Sequence, residues 1–260
     1  NRINVFPVPD GDTGTNLTLT VRAIVDTVEP IRTRSVAEVA GGAANAAVMG
    51  ARGNCGMMLS HFLLGFAEGL SGYDRINTTQ FCSAFRRGAQ SLREALDKPV
   101  EGTILTVIHD TALAATQSTE KDFVPLLEHL IKEARNSLER TPDLLPVLKT
   151  AGVVDAGAKG FVSLLEGVLY LVDGSLPISA ESQEHEKVAA SPVSLMDYPV
   201  NQERFRFCTE ALVHGDSLPT QTSVQSTLRD TGDSMIVIRS DNVLKIHIHT
   251  DEPEQVFDYL

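Results

Sequence analysis

From Leu17 onward, apolar residues return at the spacing of one helix face: Leu17, Val21, Ile24, Val25 and Val28 fall at i, i+4, i+7, i+8 and i+11. Pro30 ends that stripe. Ser35-Val-Ala-Glu38 has the capping-box pattern and opens an Ala-rich helix running to about Met49. After a glycine loop, Met58, Leu59, Phe62, Leu63, Phe66 and Leu70 mark a helix that begins near Met57 and stops at Gly72. Phe81/Phe85/Leu92/Leu96, Ile104/Leu105/Ile108 and Phe123/Leu127/Leu130/Ile131/Ala134/Leu138 continue the period, with Pro125 in a first turn where its missing N–H costs nothing. Thr141-Pro142 reads as the cap of a short helix, and Phe161, Leu164, Leu165, Val168, Leu169 and Val172 form the last stripe. About seven helices with short connections predict an antiparallel helical bundle or barrel over residues 1–174.

The helical period then gives way to Ser, Pro, Glu and Ala, including Ala180-Glu-Ser-Gln-Glu-His-Glu-Lys187, so residues 175–203 read as a solvated linker. Beyond it the period is two. Phe205, Phe207, Thr209, Ala211 and Val213 alternate with mostly polar neighbours, as a half-buried strand requires. A short helix near Thr220 to Leu228 follows, then Met235–Ile238 and Val243–His249 around Ser240-Asp241-Asn242, a strand-turn-strand, with Pro253 at N1 of a closing helix. Residues 204–260 therefore form a smaller α+β domain, and the fold class is mainly α.

The 260 residues carry 22 Lys+Arg against 34 Asp+Glu, a net charge of −12, with 42% hydrophobic residues. Such a chain buries a real core and is repelled by nucleic-acid backbone, so no nucleic-acid partner is expected. Cys55, Cys82 and Cys208 are odd in number and widely spaced, which excludes a disulfide scaffold and points to a cytoplasmic setting. The longest apolar uncharged stretch, Val39 to Ala51, is 13 residues, short of the roughly 20 of a transmembrane helix. The chain opens on Asn1-Arg2-Ile3-Asn4 with no apolar signal core and stops at Leu260 inside a helical pattern, so it reads as part of a longer polypeptide.

Candidate chemistry lies in the loops. Asn4-Val-Phe-Pro-Val-Pro-Asp10-Gly-Asp12-Thr-Gly14-Thr-Asn16 sets two carboxylates at i, i+2 in a Pro-stiffened loop that feeds a helix. Carboxylate pairs of this kind suit Mg²⁺, and Thr13, Thr15 and Asn16 sit where helix N–H groups favour an anion. The same string is equally readable as a turn with Asp12 as N-cap. Gly50-Ala-Arg52-Gly53-Asn54-Cys55-Gly56 is a second glycine loop able to wrap phosphates, or a plain interhelical turn, with Cys55 a small packing residue. It is neither a Walker A loop nor a dinucleotide fingerprint. Pro99-Val-Glu101-Gly102-Thr103 and Ala151-Gly-Val-Val-Asp155-Ala-Gly157 also precede helices, and alternate loops of an antiparallel bundle gather at one end. In the second unit, His247 and His249 share one face of a strand, and with Cys208 they match the donor set of Zn²⁺; two solvent-facing histidines on an edge strand and a buried Cys fit the pattern as well.

These four loop strings, together with Phe207-Cys-Thr-Glu210 and Ile246-His-Ile-His-Thr-Asp251, resemble in order the ATP-binding subunit of bacterial fatty acid kinase, whose kinase domain is similar to the L subunit of dihydroxyacetone kinase. The resemblance implies a DhaL-like helical barrel, ATP with two Mg²⁺, and transfer of the γ-phosphoryl group to the carboxylate of a fatty acid presented by a DegV-type binding protein, separate or fused. On the matching positions it implies that Asp10 and Asp12 hold Mg²⁺, with Asn4 near a third ligand position. Thr13, Thr15, Asn16, Gly53, Asn54, Cys55, Gly56 and Thr103 would line the phosphates, and Asp155 and Gly157 would border the nucleotide. Cys208, His247 and His249 would bind a structural zinc, and the middle domain implies a homodimer. Cys55 stands where the family pattern has Ser, and Asn4 where the dihydroxyacetone kinase branch has a carboxylate. A small-hydroxyketone kinase and a non-catalytic nucleotide-binding module are the alternative readings.

Overall fold

A computed structural model describes residues 1–175 and 205–260 of the chain, so the predicted linker lies almost wholly outside the described residues. The first part contains α1 (Thr13–Val28), α2 (Val36–Gly50), α3 (Gly53–Gly69), α4 (Thr78–Ala95), α5 (Ile104–Gln117), α6 (Phe123–Leu144), α7 (Pro146–Ala151) and α8 (Ala156–Asp173). Each long helix packs on the next, and α8 returns against α1, closing a barrel. Its interior is the predicted stripes: Leu17, Leu59, Phe62, Phe85, Leu92, Ile104, Leu105, Ile108, Ile131, Phe161 and Leu165 are buried together. Phe62 meets Phe85 edge-on at 4.9 Å and Phe161 at 5.8 Å, a packing that aromatic quadrupoles favour.

Local details correct the sequence reading at four places. Ser35 sits at the N-cap of α2, but its side chain makes no capping bond; the reciprocal capping box is at Asn77 and Gln80, opening α4. The third helix begins at Gly53 rather than Met57, because Gly53 takes φ +58, a turn that only glycine makes cheaply, and the glycine string becomes the helix's first turn. Thr141-Pro142 caps nothing: Pro142 lies inside α6, and the short helix starts at Pro146. The histidine strand, readable as an edge strand, is the central one.

That strand belongs to the second unit, made of β1 (Phe207–His214), α9 (Gln221–Leu228), β2 (Gly232–Ser240), β3 (Val243–Thr250) and α10 (Pro253–Tyr259). The sheet is antiparallel in the order β1-β3-β2, with Cys208 opposite His249 and Glu210 opposite His247. One face, with Val237, Leu244, Ile246 and Ile248, packs with Val224 and Leu228 of α9 and Val256 of α10. The other face is covered by the barrel: Ile236 and Ile238 pack with Val48, Ala51 and Met57. β3 is therefore buried on both sides. Among the described residues, no helix is long and apolar enough to cross a membrane.

The polar contacts across this junction are specific. Lys245, 3% exposed, donates from Nζ to the carbonyls of Val48 at 3.1 Å, Met49 at 3.3 Å and Ala51 at 2.8 Å. These carbonyls close α2, which has no basic residue of its own in its last turn. His61 of α3 sets its Nε2 3.0 Å from the Val237 carbonyl, which requires the proton on Nε2, and burial holds its pKa down at about 4 against that bond.

Between pH 6.5, the ordinary value for this ring, and pH 4, the unfolded chain therefore binds a proton that the folded chain refuses. Stability is full above this window and falls as pH drops through it. In urea titrations, His61→Gln, which keeps a donor for Val237, is expected to shrink the stability difference between the two ends of the window by on the order of 2–3 kcal/mol. An unchanged difference would show that the ring is not held neutral.

Candidate functional site

The N-termini of α1, α3, α5 and α8 meet at one end of the barrel. A Cβ on Gly53 would stand 2.6 Å from Asn16 Nδ2, and one on Gly157 2.6 Å from Cys55 Sγ. These close approaches bring the first turns of α1 and α8 against that of α3. Asp155 caps α8, its Oδ2 accepting from Ala158 N at 2.8 Å, and it also takes N–H groups of Gly157 and of Ile104 at the start of α5. Thr103, the N-cap of α5, accepts from Leu105 N at 3.3 Å. All four predicted loops thus converge.

Three carboxylates converge with them. Asp10 and Asp12 are joined through Asp12 N to Asp10 Oδ1 at 3.2 Å, and Asn16 Nδ2 donates to Asp12 Oδ2 at 2.8 Å. Asp12 occupies the N-cap position of α1 without making a side-chain capping bond. Burial, and then the neighbouring Asp12, push the Asp10 carboxyl above its ordinary value; burial raises Asp155 to about 6 against three backbone donors. The Cys55 thiol is raised by burial and by the charges of Asp155, Asp12 and Asp10, so it packs and does not react. Asn4 donates from Nδ2 to Asp10 Oδ1 at 2.6 Å while its Oδ1 is buried and unpartnered among the described residues, as is Asn54 Oδ1. Crowded acids beside orphaned amide oxygens form a donor set that fits a hard divalent cation.

Neighbouring side chains and carbonyls already occupy some of the N–H groups at these helix starts. Thr15 is engaged by Asn1, whose Oδ1 takes its N–H at 3.2 Å and whose Nδ2 donates to its hydroxyl at 3.0 Å. Thr13 is buried in the first turn of α1. On α3, Gly56 N donates to Arg52 O at 3.1 Å and Gly53 N to Glu210 Oε1 at 2.9 Å. The N–H groups of Asn54 and Cys55, second and third in the helix, have no acceptor within α3 and are of the kind that helix N-termini offer to anions.

The second cluster lies on the barrel-facing side of the sheet. The ligand atoms of Cys208, His247 and His249 all fall within 4.8 Å of one another. Cys208 Sγ is 3.9 Å from His247 Nδ1, and His247 Nε2 is buried with no partner among the described residues. Hydrogen bonds from His247 and His249 hold the Cys208 thiol down at about 6. Burial opposes the charge on His247, but Cys208 and Glu210 outweigh it and raise the ring to about 9. Each histidine has a carboxylate beside it: Glu210 Oε1 at 3.2 Å from His247 Nδ1, and Asp233 Oδ1 at 3.9 Å from His249 Nδ1, brought there by an irregular β2 register between Asp233 and Ile236. The donor set fits zinc. Cys208 is exposed and His247 buried, the reverse of the two-exposed-histidines alternative.

Glu210, Asp233, Lys245 and Asn1 are absent from the sequence-predicted set. Glu210 was legible as a carboxylate two residues from Cys208 on the same strand face; the others depend on a bulge or on docking.

The DAK2 domain model matches residues 7–170, nearly the whole barrel. The chain belongs to the DAK2 domain family. The model of the FakA-like middle domain, a fatty acid kinase module, matches residues 204–260, so the resemblance read from the motifs holds in both units. Protein YloV of Bacillus subtilis is 39% identical over 271 residues, covering 99% of this chain and 48% of YloV. An uncharacterized protein of Staphylococcus saprophyticus is 39% identical over 265 residues with the same coverage, and one of Staphylococcus aureus strain MRSA252 is 36% identical over 275. The chain spans about half the length of these curated relatives. Its two domain families indicate a protein of the fatty acid kinase type or one like dihydroxyacetone kinase.

The exposed Cys208 and the packed Cys55 differ enough to test. In chelator-treated protein near pH 7.5, Cys208 should be alkylated at least about tenfold faster than Cys55, since thiolate is the reacting species. Peptide mass spectrometry after a timed iodoacetamide pulse reads the ratio, and equal labelling would contradict the described environments.

Proposed function

We propose that this DAK2-family chain is the nucleotide-binding half of a kinase that transfers the γ-phosphoryl group of ATP to the carboxylate of a fatty acid, giving an acyl phosphate, with the fatty acid presented by a DegV-type binding protein, separate or fused. The observation that carries the reading is the convergence of Asp10, Asp12 and Asp155 with the first turn of α3, at Cys55, at one barrel end. Asp10 and Asp12, with Asn4 beside them, would hold two Mg²⁺. Magnesium supplies neutralisation between two anions that would otherwise repel in a chain of net charge −12.

The chain's own residues do the positioning. The α3 first turn and Thr13 of α1 orient the phosphates, Gly157 lets α8 approach Cys55 without a side chain between them, and Asp155 fixes α5 to α8 at the rim. A fatty carboxylate is already ionised, so the acceptor needs no general base, and none is required of these residues. Cys208, His247 and His249 would hold a structural zinc, and the protein would act in the cytoplasm as a homodimer through the second unit.

The test is transfer of label from γ-labelled ATP by the full-length protein with Mg²⁺, offered a fatty-acid-loaded DegV-type partner or dihydroxyacetone. Label on the lipid is expected; label on dihydroxyacetone alone would reassign the acceptor, and tight Mg-ATP binding without transfer would leave a nucleotide-binding module. Asp12→Asn should lower transfer by roughly 100-fold or more while leaving the melting temperature near that of the parent. Undiminished transfer would remove Asp12 from the metal site. Metal analysis of protein purified without chelators should return about one zinc per chain, and Cys208→Ser should lose it.

A further inference from the structure

We propose that Glu210 is a positioning residue that seats the thiol–imidazole face of the sheet against the phosphate-facing turn of α3, so that the reaction site is shared by both units. The inference rests on the reading of that turn as the phosphate cradle. Glu210 lies on β1 directly opposite His247 on β3. Its Oε1 accepts the Gly53 N–H at 2.9 Å and stands 3.2 Å from His247 Nδ1, while Oε2 is 3.5 Å from Arg52 Nη1. One carboxylate therefore touches the loop and the cluster at once.

The arrangement follows from the backbone of α3. Its first N–H has no partner within the helix, and its N-cap residue, Arg52, makes no side-chain capping bond. The φ of +58 at Gly53 turns that N–H out of the barrel, toward the sheet. Glu210 supplies the missing cap from a strand 157 residues further along the chain.

Docking itself does not depend on this contact. Lys245 on the α2 carbonyls, His61 on Val237, the Leu96–Ile236 bridge, Gln225 on the Ala95 carbonyl at 2.9 Å and Arg229 on Asp97 at 2.8 Å hold the units together elsewhere. Removing the Glu210 carboxylate leaves the junction in place and uncouples only the loop from the cluster. The contact's consequence is register between two sets of groups, which is what distinguishes positioning from stability.

The experiment is amide-resolved hydrogen exchange by NMR on the full chain, with kinetics on the same samples. In Glu210→Ala the Gly53 amide should exchange at least about tenfold faster than in the parent, while α5 amides stay unchanged and report an intact barrel. Glu210→Gln keeps an acceptor for Gly53 and should restore most of the protection. In phosphoryl transfer, Glu210→Ala should lower kcat about tenfold with KM for ATP within about twofold, and Glu210→Gln should recover part of kcat. Equal Gly53 exchange in parent and Glu210→Ala overturns the proposal. Faster exchange with unchanged kcat overturns it too, leaving Glu210 as a helix cap alone. A parent that transfers phosphate to no acceptor sinks the kinase reading instead, and the exchange result still decides whether Glu210 holds the loop.

Discussion

A lysine ammonium buried against the end of a helix governs how this protein is assembled. Lys245 is surrounded by the carbonyls of Val48, Met49 and Ala51, with no carboxylate at bonding distance among the described residues, so its charge is stabilised by the dipoles that α2 leaves unsatisfied. Burial lowers its pKa, and the charge of Glu210 works against that. Leaving such a group without its acceptors is costly, so the sheet has one favourable seat on the barrel. From that seat the rest follows: Ile236 and Ile238 meet Val48 and Met57, and Glu210 arrives at Gly53.

Barrel closure supplies the second constraint. Antiparallel helices that return on themselves bring alternate connections to the same end, and here those connections are rich in glycine and acid. The glycines permit the approach: at Gly53 and Gly157 a side chain would collide with Asn16 or Cys55. Burial raises the carboxyls of both Asp10 and Asp155, and the neighbouring Asp12 adds to it at Asp10. Buried carboxylates gathered in this way are a donor set suited to a hard divalent cation.

Helical spacing made the barrel legible, because its stripes face one common core and the periodicity is undisturbed by tertiary contacts. The α+β unit was legible from period-two alternation and from the turn at Ser240-Asp241-Asn242. Docking was not. Lys245 interrupts Leu244 and Ile246 as any solvent-facing lysine on an edge strand does, and nothing local distinguishes it from one; only the sheet order, with β3 in the centre, shows that both faces are covered. The same blindness left open a buried Cys208 beside exposed histidines, since strand order decides burial and one strand's pattern does not contain it. The loop strings were legible as anion and metal sites, but the choice among their N–H groups was not, because Asn1 and Glu210 are remote in sequence from the amides they occupy.

That occupancy bears on the chemistry of the α3 turn. A carboxylate on the Gly53 N–H shows that this turn attracts anions through backbone donors, without a lysine of its own. Because Glu210 takes the first N–H and Arg52 O the fourth, a phosphate bound as proposed would be confined to the middle of the turn, beside Asn54 and Cys55. A serine at position 55 would add a hydroxyl there; the cysteine adds a buried, protonated thiol against Gly157 and leaves binding to the main chain. Recognition through main-chain donors, as proposed for this turn, would be indifferent to the side chain at position 55, and the loop could then carry Cys where the family pattern has Ser.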